Sequence, residues 1–347
     1  MGSKKKPKSE IRNPKQTQNP KSKTKKQIKS IAVVTPGGDA PGMNTAIRAV
    51  VRTAIFHGLR VWGIERGWYG LINGLLKEMG PKSVSGIVNK GGTELHTRRC
   101  PEFNEKKYRI MGHKELKLRE IDGMIVIGGD GSLRAAHALQ QEFGIPINVI
   151  PATIDNDIPC TDFTIGFDTA VNTALEAIDK IRDTATSHER LFVVEVMGRR
   201  NGFIALDVGL SAGAEAILIP EQKYDLEKLS RHIRAGQERG KESFIIVAAE
   251  GAGNVHKIAQ ELRDSLNIEV RLTILGHVQR GGTPTSLSRE LACKLGAAAV
   301  ENMIAGKHGY LVGAVSDKVS LCPIGEVIKT TKKIDLEQLR IANMLAT

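Results

Sequence analysis

From Ile31 onward the chain alternates between two periods. Short runs in which nearly every residue is apolar end in turns carrying glycine or an acid, and stretches with apolar residues three and four apart follow. Ile31–Thr35 is the first run, and Ile47, Val50, Val51, Ala54 and Ile55 then mark one face of a helix. Met124–Ile127 and Asn148–Ile150 read as further strands, and Ser132 stands where it would cap the helix that follows Gly128-Gly129-Asp130-Gly131. In the second half, Val171, Ala174, Leu175 and Ile178 share a helical face. Leu191–Val196, Ala216–Ile219, Phe244–Ala249 and Val270–Leu275 read as strands, with helical segments around Leu226–Ile233 and Val255–Leu266. Continuously apolar strands alternating with helices predict an α/β fold whose mostly parallel sheet is covered on both faces. Ligands of such folds gather at the carboxyl ends of the strands.

Composition changes this picture only at one end. The chain of 347 residues is 41% hydrophobic and 25% charged, enough for two domains or one large α/β unit. Its formal charge of +12 is not spread evenly. Residues 1–29 hold eleven Lys/Arg against a single acid, Glu10, and Asn13-Pro14-Lys15 recurs as Asn19-Pro20-Lys21. Such a segment cannot build a core, so a disordered basic tail is expected over 1–29, and the remainder is close to neutral. No aromatic residue is interleaved for base stacking, so nucleic acid is not an expected partner. No apolar stretch is long enough to span a bilayer, and no apolar segment follows the basic start as in a secretory signal. Cys100, Cys160, Cys293 and Cys322 form no CxxC pair, which argues against zinc or a disulfide framework and for a reducing, cytoplasmic setting.

The turns carry the chemistry. Gly37-Gly38 and Gly128-Gly129 each lie between a strand and a helix, where backbone N–H groups can approach phosphate oxygens; a plain tight turn is the bland alternative. Neither turn is a Walker loop, and Arg134 breaks the dinucleotide fingerprint. Asp130, inside the second turn, suits Mg²⁺ beside a nucleotide's phosphates or, equally, a helix cap. Thr153-Ile154-Asp155-Asn156-Asp157 places two carboxylates two residues apart after a buried strand. One can act as general base while the other serves the metal or its waters. Arg99, Arg190, Arg199, Arg271, Arg280 and His277 are read as converging on these turns from strand ends, as phosphate chemistry requires.

Five blocks together resemble the 6-phosphofructokinase family, in its ATP-dependent bacterial form. They are Gly37–Asn44, Gly128–Ser132, Thr153–Asp157, Met197-Gly198-Arg199 and Leu275–Gly282, in the family's order over roughly residues 30–330. The resemblance implies two doubly wound α/β lobes with the active site in the cleft between them. The nucleotide lobe would take approximately 30–166 and 284–332, and the sugar-phosphate lobe 167–283 and 333–347. It also implies a cytoplasmic, allosteric homotetramer of glycolysis that uses Mg²⁺, ATP and fructose 6-phosphate. By resemblance, Asp155 is the base; Thr153, Arg99, Arg199 and the Gly38 backbone stabilise the transferred phosphoryl group. ATP would also meet Cys100, Gly129, Asp130, Gly131 and Ser132, with Asp130 serving the metal and Asp157 close by. Met197, Gly198 and Glu250 would touch the sugar, and His277 and Arg280 its 6-phosphate, joined by Arg190 and Arg271 from a neighbouring subunit.

Arg48, Arg52, Arg182, Glu215, Arg239 and Lys241 match the family's effector pocket, although Pro81 replaces an arginine there. On the nucleotide side Cys100 replaces an aromatic and Asn104 a basic residue. Pyrophosphate-using members place aspartate where this chain has Gly131 and lysine where it has Ala152, so both positions point to ATP. An NAD kinase-like enzyme would share Gly-Gly-Asp-Gly but not the other blocks. A catalytically silent ligand-binding subunit would be expected to lose Asp155 or Arg199, and both are present.

Overall fold

The structure, a computed structural model, describes Gly2 and residues 27–346. The tail expected over 1–29 lies outside the described residues except at Gly2 and its last three positions. There Ile28 packs against the core and the Lys29 N–H donates to Asp122 Oδ2 (2.9 Å).

Among the described residues, twelve strands form two sheets. In chain order they are β1 (Ser30–Val34), β2 (Arg60–Ile64), β3 (Leu76–Glu78), β4 (Gly123–Gly128), β5 (Ile147–Thr153), β6 (Ile165–Gly166), β7 (Leu191–Val196), β8 (Ala216–Leu218), β9 (Phe244–Ala249), β10 (Val270–Ile274), β11 (Tyr310–Val315) and β12 (Lys318–Pro323). The first sheet runs β12-β11-β5-β4-β1-β2-β3, with β6 paired to β5; the second runs β10-β7-β9-β8. Pairing is parallel throughout except for β3 and β12, which are antiparallel strands at the two edges of the first sheet. The expected α/β class, parallel and covered on both faces, is the fold observed.

Alternation of side chains across the pleat explains the coverage. Ile31 and Val33 of β1, with Ile125 and Ile127 of β4, enter one apolar cluster, while Ala32, Val34, Met124 and Val126 enter another on the opposite face. In the second sheet Val194, Ile245 and Val247 join the first of these clusters, whereas Val193, Ile246 and Ala248 face a third. One core therefore continues from sheet to sheet, and burial on both faces is why the strands read as unbroken apolar runs. One strand outlasts its expected end: β5 continues through Pro151 to Thr153. Proline forfeits only its N–H in a strand, and here it stands opposite Gly128, the last residue of β4.

The chain leaves the first sheet after β6, through the helix Phe167–Ser187, and returns after β10 through the helix Ser286–Ile304. These two crossings touch. Thr285 Oγ1 donates to Asp168 Oδ2, the Thr285 N–H donates to Thr169 Oγ1 (3.1 Å), and Thr169 shares a hydroxyl bond with Ser288 (2.9 Å). A third crossing, residues 328–335, leads to the helix Leu336–Leu345, which packs on β8 and on the helix Phe203–Ser211. Among the described residues no helix is long and apolar enough to cross a membrane, and all four cysteines are free thiols.

Candidate active site

The carboxyl ends of β1, β4, β5 and β7 open onto one cleft of about 530 Å³. Its walls bring together Gly37, Gly38, Arg99, Cys100, Gly129, Asp130, Gly131, Ser132, Thr153, Asp155, Asp157, Arg199 and Arg280. Two of the glycines matter for want of a side chain. A Cβ on Gly38 would stand 2.9 Å from Arg280 Nη1, whereas nothing lies within 4 Å of where one on Gly131 would project.

The expected cap at Ser132 is not formed. The helix Asp130–Phe143 begins two residues earlier, with Gly129 as its N-cap, so Ser132 lies in its first turn. From there Ser132 Oγ donates to the Pro36 carbonyl (2.8 Å), and the hydroxyl ties one glycine turn to the other. Asp130, at the first helical position, is half-buried and ion-paired with Arg134 one turn on (2.9 Å).

The two carboxylates after β5 are electrostatically unequal. Asp155 is 2% exposed; its Oδ2 lies 3.3 Å from Arg199 Nε, and its Oδ1 is buried without a hydrogen-bond partner. Burial raises its pKa above the ordinary carboxylate range, against the opposing pull of Arg199 and Arg280. Asp157 is pushed up to about 6, first by burial and then by the charge of Asp155, with Asp130 adding to it. The mutual repulsion of Asp155, Asp157 and Asp130 makes this end of the cleft electronegative, and Asp130 and Asp157 offer the carboxylate oxygens that a hard divalent cation prefers. Among the described residues, no three acidic, His or Cys side chains form a metal cage of their own, so a cation there would need further oxygen ligands from phosphate or water.

The second sheet provides the facing wall. Met197 and Gly198 follow β7, and the Met197 N–H donates to Oε1 of the fully buried Gln279 (2.9 Å), which fixes the turn Gly276–Arg280 beside them. Arg199 has φ +54°, a left-handed conformation, and its N–H donates to Glu250 Oε1. Arg280 Nη1 donates to the Asp39 carbonyl (3.2 Å), bridging the walls, while His277 stands exposed on the same turn.

Two expected cations do not converge here. Arg190 immediately precedes β7 and Arg271 is the second residue of β10, both at amino ends, where they pair with Glu269 (Arg190 Nε to Oε2, 2.7 Å). At about 3.3 Å per residue, Arg190 is separated from the carboxyl-end turns by roughly 20 Å and Arg271 by roughly 10–15 Å. Of the six effector candidates, Lys241 pairs with the buried Glu215 (2.8 Å). Arg182 donates to the Ala212 carbonyl nearby (2.6 Å), and Arg239 ends the helix Leu226–Glu238. Arg48 and Arg52 ride instead on the helix Met43–Phe56, with Arg52 Nη2 donating to the Pro81 carbonyl (3.4 Å).

The sequence reading missed one wall of the cleft. Trp68 and Phe103 stack with centroids 4.5 Å apart and planes 3° from parallel, and Arg98 lies over the Tyr69 ring (4.0 Å). Trp68 sits on a helix of six residues, too short to show periodicity; its rarity, one of two tryptophans in the chain, was the available signal.

Glycine turns and guanidinium groups that face a buried carboxylate across a cleft between two α/β layers have the layout of a phosphoryl-transfer enzyme. The Phosphofructokinase family profile matches residues 30–303, and the chain belongs to that family. It is 51% identical over 319 residues to proteins named ATP-dependent 6-phosphofructokinase from Bacillus thuringiensis (strain Al Hakam) and Bacillus anthracis (strain A0248). The match covers 92% of this chain and the whole of each relative. Among solved structures it resembles the phosphofructokinase of Saccharomyces cerevisiae at 36% identity and a TM-score of 0.82, spanning 87% of this chain and 45% of the yeast one. A pyrophosphate-dependent phosphofructokinase from Marinobacter aquaeolei, 23% identical with 91% of both chains covered and a TM-score of 0.79, shares the fold.

Proposed function

We propose that this chain is an ATP-dependent 6-phosphofructokinase. It transfers the γ-phosphoryl group of ATP to the 1-hydroxyl of fructose 6-phosphate, giving fructose 1,6-bisphosphate and ADP. The observation that carries the reading is Asp155: buried at a strand end, with one oxygen against Arg199 and the other free to accept a proton. As the sugar hydroxyl oxygen attacks the γ-phosphorus, Asp155 takes its proton and ADP departs. Arg199, Arg99, Thr153 and the Gly38 N–H answer the charge spread over the transferred phosphoryl oxygens. Asp130, with Asp157 nearby, would hold Mg²⁺, which neutralises phosphate charge when bound. Met197, Gly198 and Glu250 orient the sugar, and His277 and Arg280 hold its 6-phosphate.

Assembly completes the site in this reading. Arg190 and Arg271, remote from their own cleft, reach the 6-phosphate pocket of a neighbouring subunit in a cytoplasmic homotetramer. The exposed apolar Ile274 and Val278, near Arg271 in the chain, support a covered surface there. The Lys241–Glu215 pair with Arg182, Arg239, Arg48 and Arg52 are the residues for an anionic effector.

The donor rests on Gly131, which lines the cleft with open space where a side chain would begin; an aspartate there would add negative charge beside a nucleotide's phosphates. Purified protein assayed with fructose 6-phosphate, Mg²⁺ and either ATP or pyrophosphate tests it. Higher kcat/KM with ATP is expected. Higher efficiency with pyrophosphate overturns the donor, and no turnover with either overturns the enzyme reading.

A further inference from the structure

One half-buried cation lies beside the carboxylate turn, outside the mechanism above. Lys332 belongs to the extended crossing between the helices Ile324–Val327 and Leu336–Leu345. Its Nζ donates to Asn156 Oδ1 (2.9 Å) and to the Asp162 carbonyl (2.7 Å), and lies 5.4 Å from the Phe203 ring centroid. Burial lowers its pKa to about 8, although Asp162, Asp157 and Asp207 all favour its charge. A lysine half withdrawn from water, with its charge disfavoured, ordinarily answers a specific need.

The need is visible in the turn it grips. Asn156 is the residue between the two carboxylates and is held at φ +52°, a left-handed conformation. Its side chain closes the loop: Oδ1 also accepts the Thr164 N–H (3.0 Å), and Nδ2 donates to the Asp162 carbonyl (3.2 Å). Thr164 Oγ1 in turn donates to the Thr153 carbonyl (2.6 Å). Asn156 cannot rotate without carrying Asp155 and Asp157 with it, and Lys332 is the outside anchor that stops it.

We propose that Lys332 is a positioning residue for phosphoryl transfer: by clamping Asn156 and the Asp162 carbonyl it sets the direction in which Asp155 presents its free oxygen. The inference rests on Asp155 acting as the base. It also links the geometry of the base to the third crossing between the sheets, since the lysine stands on that crossing.

The test uses full-length Lys332→Met, Lys332→Arg and Lys332→Gln, with steady-state kinetics for both substrates. Lys332→Met should lower kcat by about tenfold or more, as small misplacement of a reacting group does, with each KM within about twofold. Lys332→Arg, which keeps the charge and the donors, should recover most of the loss. Combined with Asp155→Asn, Lys332→Met should add almost nothing further, because a residue acting through the base has nothing left to position. A kcat for Lys332→Met within about twofold of wild type, or an additive loss in the double variant, overturns the proposal. If Lys332→Met does not fold, Lys332→Gln is read by the same criteria. An inactive wild-type chain would instead sink the functional reading itself, so the two failures are separable.

Discussion

Asp157→Asn should make the protein more stable and less active at once. In the unfolded chain this carboxyl titrates near its ordinary value of 3.8, whereas in the folded chain it is pushed to about 6. A folded-state pKa above the unfolded one means that the native structure prefers the proton. Holding the ionised form therefore costs nothing well below pH 3.8, and costs progressively more until the pH passes about 6. Complete above that point, the penalty is about 3 kcal/mol at pH 7 and about half as much at pH 5. Asparagine fills almost the same volume without charge and removes it. With an unfolding entropy of about 2 cal/mol/K per residue, the gain corresponds to a rise in Tm of about 4 °C at pH 7, shrinking to almost nothing near pH 4. Thermal unfolding by circular dichroism, with a chelator present to keep divalent cations away, reads the difference across this range. The reasoning fails if the variant melts at or below wild type at pH 7, or if the gap does not change with pH.

Asp155→Asn should reduce kcat by roughly 10²–10⁴-fold with little change in KM for fructose 6-phosphate; near-normal turnover would remove Asp155 from the base role. On the acid side, wild-type kcat should fall at a pH above the usual carboxylate range, because burial raises the Asp155 pKa and the base works only when ionised. A flat profile down to about pH 4 would contradict this. Arg271→Ala should weaken fructose 6-phosphate more than ATP, and mixing it with Asp155→Asn should restore some activity in hybrid oligomers; an absence of complementation would place the whole site in one chain. Removing residues 1–26, which carry ten Lys/Arg and one acid, should leave Tm and kcat almost unchanged, and a large drop in either would show that this segment docks on the body.

The parallel strands were legible because burial on both faces writes itself as unbroken apolar runs: β7 and β9 were placed residue for residue. The edge strands were not. β12 (Lys-Val-Ser-Leu-Cys-Pro) is half solvated, and β3 (Leu-Lys-Glu) has only three residues, two of them charged and exposed, so neither shows the apolar run that identified the others. The cleft was legible where its residues cluster in turns, such as Thr153–Asp157. It was not legible where distance along the chain hides proximity. Lys332 lies in Thr330-Thr331-Lys332-Lys333, which reads as a solvated linker, yet it touches Asn156 across 176 positions. That Arg190 and Arg271 stand away from their own cleft was hidden for a simpler reason: arginine beside a strand looks the same at either end, and only the strand's direction decides which turn lies next to it.

The contact between Asp168 and Thr285 bears on the order in which the molecule assembles. Tyr310 of β11 must find Asn148 of β5 across 162 positions, and the intervening chain includes the whole second sheet. If that sheet folds first, Asp168 and Thr285 are drawn together, and 117 positions drop out of the loop that β11 has to close. By the logarithmic law for loop closure, the shortcut lowers the entropic cost by about 1 kcal/mol, roughly a sevenfold gain in the chance of pairing. The second sheet thus acts as an internal splint: refolding should show it protected from hydrogen exchange before β11 and β12 are, and the last event should be the capture of β11 on the waiting edge of β5.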